Sequence, residues 1–184
     1  MPAKSMITVA FLSVLLTTGC EFLPNSDKSS KQNTNKQSEK IVDKTPQKTQ
    51  NPQQACDNGD MAGCFELGYS YEYGVDGKSD KQKAAKLYQK ACDGKYMKAC
   101  YYLGYLYIKG SGVKQDKQKA VQLFTKACSG GDMFGCLNLA HMFAKGHGTK
   151  QDNQKAKELY KKACDGGTKA GCKFYKILNE QGAK

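Results

Sequence analysis

Residues 90–110 read KACDGKYMKACYYLGYLYIKG, and two cysteines in them, Cys92 and Cys100, stand eight residues apart. The same spacing returns as Cys56/Cys64, Cys128/Cys136 and Cys164/Cys172, each pair offset by 36 residues from the last without an insertion. Self-similarity at a fixed period of this length is the signature of a solenoid in which one supersecondary unit is stacked on copies of itself. The fold class follows from what lies between the cysteines.

Each unit opens on a glycine-containing turn after its first cysteine (CDNGD, CDGK, CSGGD, CDGGT). Cys100, Leu103, Gly104 and Tyr107 then fall at i, i+3, i+4 and i+7, one apolar stripe of a helix. Their counterparts are Cys64, Leu67, Gly68 and Tyr71, and Cys136, Leu139, Ala140 and Phe143, so a small residue recurs where a second helix can approach. A glycine loop ends this first helix. Asp80, Asp116 and Asp152 follow, placed to cap a second helix with a side-chain oxygen. Its apolar face is Ala84, Leu87, Tyr88 and Ala91 in one unit and Ala120, Leu123, Phe124 and Ala127 in the next, then Ala156, Leu159, Tyr160 and Ala163. Lysines such as Lys83, Lys86 and Lys90 fall on the other, solvated side. The expectation is an all-α chain: about three and a half helix-turn-helix units over residues 55–184, starting at positions 56, 92, 128 and 164, the last one truncated.

Nine cysteines suit an oxidising compartment better than a reducing cytosol. Lys4 precedes an apolar run at residues 6–18, too short to span a bilayer and suited to the core of a signal peptide. The run ends in LTTGC, which resembles the lipobox of bacterial lipoproteins although Thr17 replaces the more usual Leu. That resemblance implies a leader at 1–19 and a lipid on Cys20, hence an exported, membrane-anchored protein of the outer membrane or periplasm, or one released from it. Setting Cys20 aside leaves eight cysteines in four equal pairs, and the repeat favours closure of each pair within its own unit. Zinc is the competing use, but structural zinc sites favour cysteines two to four residues apart. Residues 21–54 are polar, with too few apolar side chains to offset the entropy of ordering, and read as a disordered linker reaching about 30 Å on average.

All 29 basic residues are lysines, against 17 acids. Without arginine, bidentate phosphate recognition is poorly served, and the lysines are scattered rather than striped; nucleic acid is not the expected partner.

The second unit, KACDGKYMKACYYLGYLYIKGSGVKQDKQKA, resembles the Sel-1-like repeats, relatives of tetratricopeptide repeats, and in particular the Helicobacter cysteine-rich proteins. The resemblance rests on the paired cysteines, the LG-x-x-Y helix, the G-x-G loop and the D-x-x-K-A second helix. It implies a right-handed α/α superhelix with first helices lining the concave face, disulfides Cys56–Cys64, Cys92–Cys100, Cys128–Cys136 and Cys164–Cys172, and a closing terminal helix, GCKFYKILNE. Two departures stand out. NPQQA offers no full second helix ahead of Cys56, which leaves the N-terminal cap loose, and the loop GVDG moves its second glycine one place along.

With first helices on the concave side, the candidate binding face is Glu66, Tyr69 and Tyr73, then Tyr102, Tyr105 and Lys109, then Asn138, His141 and Lys145. Tyrosine with a few polar handles suits a protein or peptide ligand, because it supplies contact area at low rotamer cost. Packing between repeats is the alternative role for each ring, and His141 reads first as a polar packing residue. His147 reads as a loop variant of Ser111 and Val75. The resemblance also implies a second activity, since members of that family are often described as penicillin-binding proteins or slow β-lactamases acting on a β-lactam or peptidoglycan fragment. The Ser-x-x-Lys match, Ser111 to Lys114, lies in a glycine loop, and neither Ser-Asp-Asn nor Lys-Thr-Gly occurs in the chain. Gly77, Lys78 and Ser79 imitate the end of a phosphate loop, but Glu72 stands where its leading glycine belongs. No metal or cofactor is expected.

Overall fold

The structure is a computed structural model that describes residues 51–75 and 77–181. The expected leader, Cys20 and most of the linker lie outside the described residues. Those described form eight helices and no strand: α1 (Pro52–Asp57), α2 (Met61–Tyr73), α3 (Lys81–Asp93), α4 (Met97–Lys109), α5 (Lys117–Ser129), α6 (Met133–Lys145), α7 (Asn153–Asp165) and α8 (Lys169–Gln181). Every helix from α2 to α8 has 13 residues, so the 36-residue period is two equal helices and their connections.

The stop and start signals explain the equal lengths. Asp80, Asp116 and Asp152 accept hydrogen bonds from the backbone N–H of Lys83, Lys119 and Lys155 at 2.9–3.0 Å, each satisfying a free amide of a second helix. Asp60 and Asp132 do the same for α2 and α6, through Ala62 N–H and Gly135 N–H. At the other end of α4, Gly110 has φ +66°, the left-handed conformation in which its N–H reaches back to the Leu106 carbonyl and closes the helix.

Packing within a unit turns on the small residue of the first helix. A Cβ on Gly104 would lie 2.7 Å from the Phe124 ring, and one on Gly68 2.9 Å from the Tyr88 ring. Both rings are fully buried. Tyr88 also donates its hydroxyl hydrogen to the Glu72 carboxylate at 2.7 Å, so its polar tip is satisfied inside the core. Lys83, Lys119 and Lys155 lie over the Tyr71, Tyr107 and Phe143 rings of the same unit at 5.1, 5.8 and 4.9 Å; their stems cover apolar surface while the ammonium groups stay wet.

Across the turn that opens each unit, a disulfide joins the last residues of a second helix to the fourth residue of the following first helix. All four within-unit pairs form, with Cα atoms 4.3–4.7 Å apart, at the short end of the usual range. Small neighbours permit this approach: a Cβ on Gly135, one residue before Cys136, would meet the Ala127 Cβ at 2.6 Å. Three sulfur–glycine contacts reinforce the stack, Met61 on Gly94, Met97 on Gly130 and Met133 on Gly166.

Three expectations change. NPQQA is not loose: Asn51 accepts a hydrogen bond from Gln53 N–H at 2.9 Å and Pro52 opens α1, so helix begins three residues ahead of the expected domain start at 55. Lys90 is not simply solvated. It reaches the Cys56 carbonyl at 3.0 Å, Lys162 reaches the Cys128 carbonyl at 3.2 Å, and Lys126 pairs with Asp93 at 3.2 Å. Each thereby places a cation at the C-terminal end of the preceding second helix. The loop GVDG differs from its sisters for a positional reason. Gly112 and Gly148 abut the backbone carbonyls of Lys81 and Lys117, at the start of the preceding unit's second helix, whereas a Cβ on Gly77 would meet open space. In the first unit that place in the preceding helix has no counterpart among the described residues, where α1 supplies only six.

Candidate functional site: the first-helix face

Large apolar side chains left exposed among the described residues are Tyr69, Tyr73, Tyr105, Phe134, Ile177 and Val75. All but the loop residue Val75 lie on first helices, in the stripe that carries Glu66, Asn138, His141 and Lys145. A helix presents such i, i+3, i+4 positions to one side. α4 also packs directly against α6, so consecutive first helices converge on this side.

The stripe divides into two regions. Between α2 and α4 it is an aromatic cluster. Tyr102 is half-buried, its ring centroid 5.0 Å from Phe65, 5.5 Å from Tyr88 and 6.1 Å from Tyr69, while the Tyr69 and Tyr73 rings lie tilted against each other at 4.5 Å and remain 40% and 58% exposed. Burial pushes the Tyr102 and Tyr101 phenols above their ordinary pKa, so both are neutral at physiological pH. Glu66 lies exposed beside this cluster.

Between α4 and α6 the stripe opens into a groove of about 450 Å³. Four of the expected face residues line it, namely Tyr105, Lys109, Asn138 and His141. Ile108, Phe124 and Met142 form an apolar floor, and Gln115, Lys117 and His147 complete the wall. His141 is both packed and part of the groove lining. Its ring packs edge-on against Phe174 at 4.7 Å and Tyr160 at 5.2 Å, and Nδ1 is 2.8 Å from the Leu137 carbonyl, yet it still forms part of the groove wall. Lys145 is exposed farther along α6 and does not line the groove.

His147, Lys117 and the floor residues were not legible as site residues. His147 is brought there because Gly148 seats its loop against the Lys117 carbonyl, a contact between residues 31 positions apart. A usable signal did exist in the repeat register. Positions 66, 102, 138 and 174 are equivalent and hold Glu, Tyr, Asn and Phe; between α4 and α6 the groove opens where Asn138 stands in place of the rings of α4 and α8.

Ser111 and Lys114 lie in the loop between α4 and α5. Ser111 follows the C-terminus of α4 in a turn, where its N–H donates to the Leu106 carbonyl at 3.1 Å. A nucleophilic serine of that type sits instead at a helix start with the lysine in hydrogen-bond reach. No group of three or more metal-ligating side chains occurs among the described residues, and none of their helices is long and apolar enough to cross a membrane.

The family model described as Sel1 repeat matches residues 62–96, 98–132 and 134–168, each match beginning at a first helix and ending in the turn after a second. The chain belongs to the Sel1 repeat family. Among solved structures, this Sel1 repeat chain is similar to Helicobacter pylori cysteine rich protein B, with 32% identity, a TM-score of 0.55 and coverage of 67% of this chain and 88% of that one. It is also similar to a protective antigen of uropathogenic Escherichia coli strains that displays an SLR fold, at 28% identity and a TM-score of 0.69 over 72% of this chain. A Sel1 repeat protein from Oxalobacter formigenes gives 28% identity and a TM-score of 0.61 over 65% of this chain. The chain spans 28% of the Escherichia coli protein and 48% of the Oxalobacter one. Comparison with curated proteins gives no match.

Proposed function

We propose that this Sel1 repeat protein is an exported, non-catalytic scaffold that binds a protein or peptide along its first-helix face and is held at a bacterial membrane by a lipid on Cys20. The observation that carries the reading is the sorting of exposed apolar side chains: Tyr69, Tyr73, Tyr105, Phe134 and Ile177 share one stripe, while the second helices turn lysines outward. An aromatic stripe left in water is costly unless a partner covers it, and tyrosine supplies a large contact area at low conformational-entropy cost on being covered. Four disulfides support an oxidising compartment.

Site-specific photo-crosslinking tests the face. A photoreactive residue at Tyr73 or Tyr105 is expected to yield discrete adducts in the producing cells, and the same residue at Lys86 or Gln122 on the second helices none. Adducts from the second-helix positions alone would refute the assignment. The anchor has its own test: metabolic labelling with an alkyne fatty acid should mark the protein and be lost in Cys20→Ser, and an unlabelled wild-type chain would exclude it.

A further inference from the structure

We infer that the groove between α4 and α6 is a recognition site for an acidic peptide segment, one carboxylate meeting Lys109 and Lys117 while an adjacent apolar side chain lies on Ile108 and Met142. The inference deepens the scaffold reading and rests on it.

The repeat register shows why the groove is open. In α4 the position is filled by Tyr102, which packs on Phe65 and Tyr88. In α8 it is filled by Phe174, which packs on His141 and Tyr160. In α6 the equivalent residue is Asn138, whose amide turns back to donate to the Phe134 carbonyl at 2.8 Å. Beside it the partly exposed Ile108 and the buried Phe124 and Met142 line the groove. Aromatic side chains suit this position in both neighbours, so packing alone does not call for asparagine in the unit between them.

Charge gives the chemistry of the occupant. No carboxylate lines the groove, whereas Lys109, Lys117 and two histidines do. Neither lysine takes part in an ion pair among the described residues, unlike Lys83, Lys126, Lys161 and Lys176. Lys109 lies over the Tyr105 ring at 5.4 Å, and Asp116, next to Lys117 in sequence, is committed to the Lys119 N–H at 2.9 Å. A pair of unneutralised ammonium groups above an apolar floor selects an anion with a hydrophobic neighbour. The groove is continuous through Tyr105 with the exposed tyrosines of the same face, which favours a segment of chain over a compact small molecule.

Selection of phage-displayed random peptides on the full mature chain, followed by fluorescence polarisation with the enriched peptide, tests this. Enriched sequences should place Asp or Glu beside Leu, Ile or Phe. Asn138→Phe restores the side chain that both neighbours tolerate, so it should melt within a few degrees of wild type yet weaken binding at least tenfold. Lys109→Glu with Lys117→Glu should abolish binding of the acidic peptide and enrich basic ones. No enrichment, enrichment indifferent to charge, or a folded Asn138→Phe that binds normally would overturn the assignment. The scaffold reading fails differently: charge-indifferent peptides that crosslink to Tyr73 and Tyr105 would leave it standing, and crosslinks confined to the second helices would remove it.

Discussion

Replacing Cys92 and Cys100 together by alanine removes a bridge from the middle of the stack, and replacing Cys164 and Cys172 removes the equivalent bridge from its end. Both close loops of the same length, with a sequence separation of 8. The chain-entropy contribution is therefore common to both, about 2.6 kcal/mol at 25 °C. Their surroundings differ. Cys92 and Cys100 are fully buried, so truncation leaves two sulfur-sized voids in the core, each costing about 1 kcal/mol by analogy with deleting a buried methyl group. Cys164 is only half-buried and Cys172 is exposed, so that second contribution nearly vanishes. The central variant should lose about 4–5 kcal/mol and the terminal one less than about 3 kcal/mol. In a nearest-neighbour stack the terminal loss also localises to α8. Urea unfolding followed by far-ultraviolet circular dichroism without reductant measures the totals, and hydrogen exchange should show the terminal variant's loss of protection confined to α8. Equal costs, or a central cost below that of the terminal pair, would refute the claim that burial distinguishes otherwise identical staples.

Lys95 has φ +66° where the equivalent Gly59, Gly131 and Gly167 have +85° to +91°; Lys95→Gly should raise the melting temperature, a gain of up to about 1 kcal/mol from relieved strain, partly offset by unfolded-state entropy. Gly112→Ala should cost at least about 1 kcal/mol more than Gly59→Ala in the same denaturation assay, because both pay the left-handed penalty but only the first drives a Cβ into the Lys81 carbonyl. Burial pushes the Tyr160 phenol up to about 12 and that of Tyr88, beside the Glu72 carboxylate, upward as well. Raised folded-state values mean that the unfolded tyrosines ionise first. Stability should therefore hold below pH 10 and fall between pH 10 and about 12, with a shallower fall in Tyr160→Phe; an identical pH profile for Tyr160→Phe would count against the burial of that hydroxyl.

Most of the fold was legible because its signals are local or periodic. Cysteine spacing, the i, i+3, i+4 stripe through Leu103 and Gly104, and the caps at Asp80, Asp116 and Asp152 each need only one helix to be interpreted. What escaped depends on a neighbour elsewhere in the chain. Lys90 looks solvated on its own helical wheel, and only stacking brings its ammonium to the Cys56 carbonyl, 34 positions away. His147 looks like a loop variant until the Gly148–Lys117 contact places it beside the groove. His141 was read first as a packing residue, and its rings confirm that role without revealing the wall it also forms.

Departures from the repeat therefore differ in meaning according to position. Toward the ends of the described stack they coincide with positions that lack a described neighbour. Lys169 occupies the register of Met61, Met97 and Met133, and Asn58 that of Gly94, Gly130 and Gly166, and no described glycine turn or methionine stands opposite either of them. Lys176 likewise replaces the small residue of Gly68, Gly104 and Ala140 on α8, against which no described second helix packs. Asn138 has no such excuse. It stands between α4 and α8, and both of these first helices fill its position with a ring that packs on the preceding unit. That departure, flanked by a described first helix on each side, is the physical reason to place recognition at that point of the face, between Lys109 and Lys117, rather than along the tyrosines as a whole.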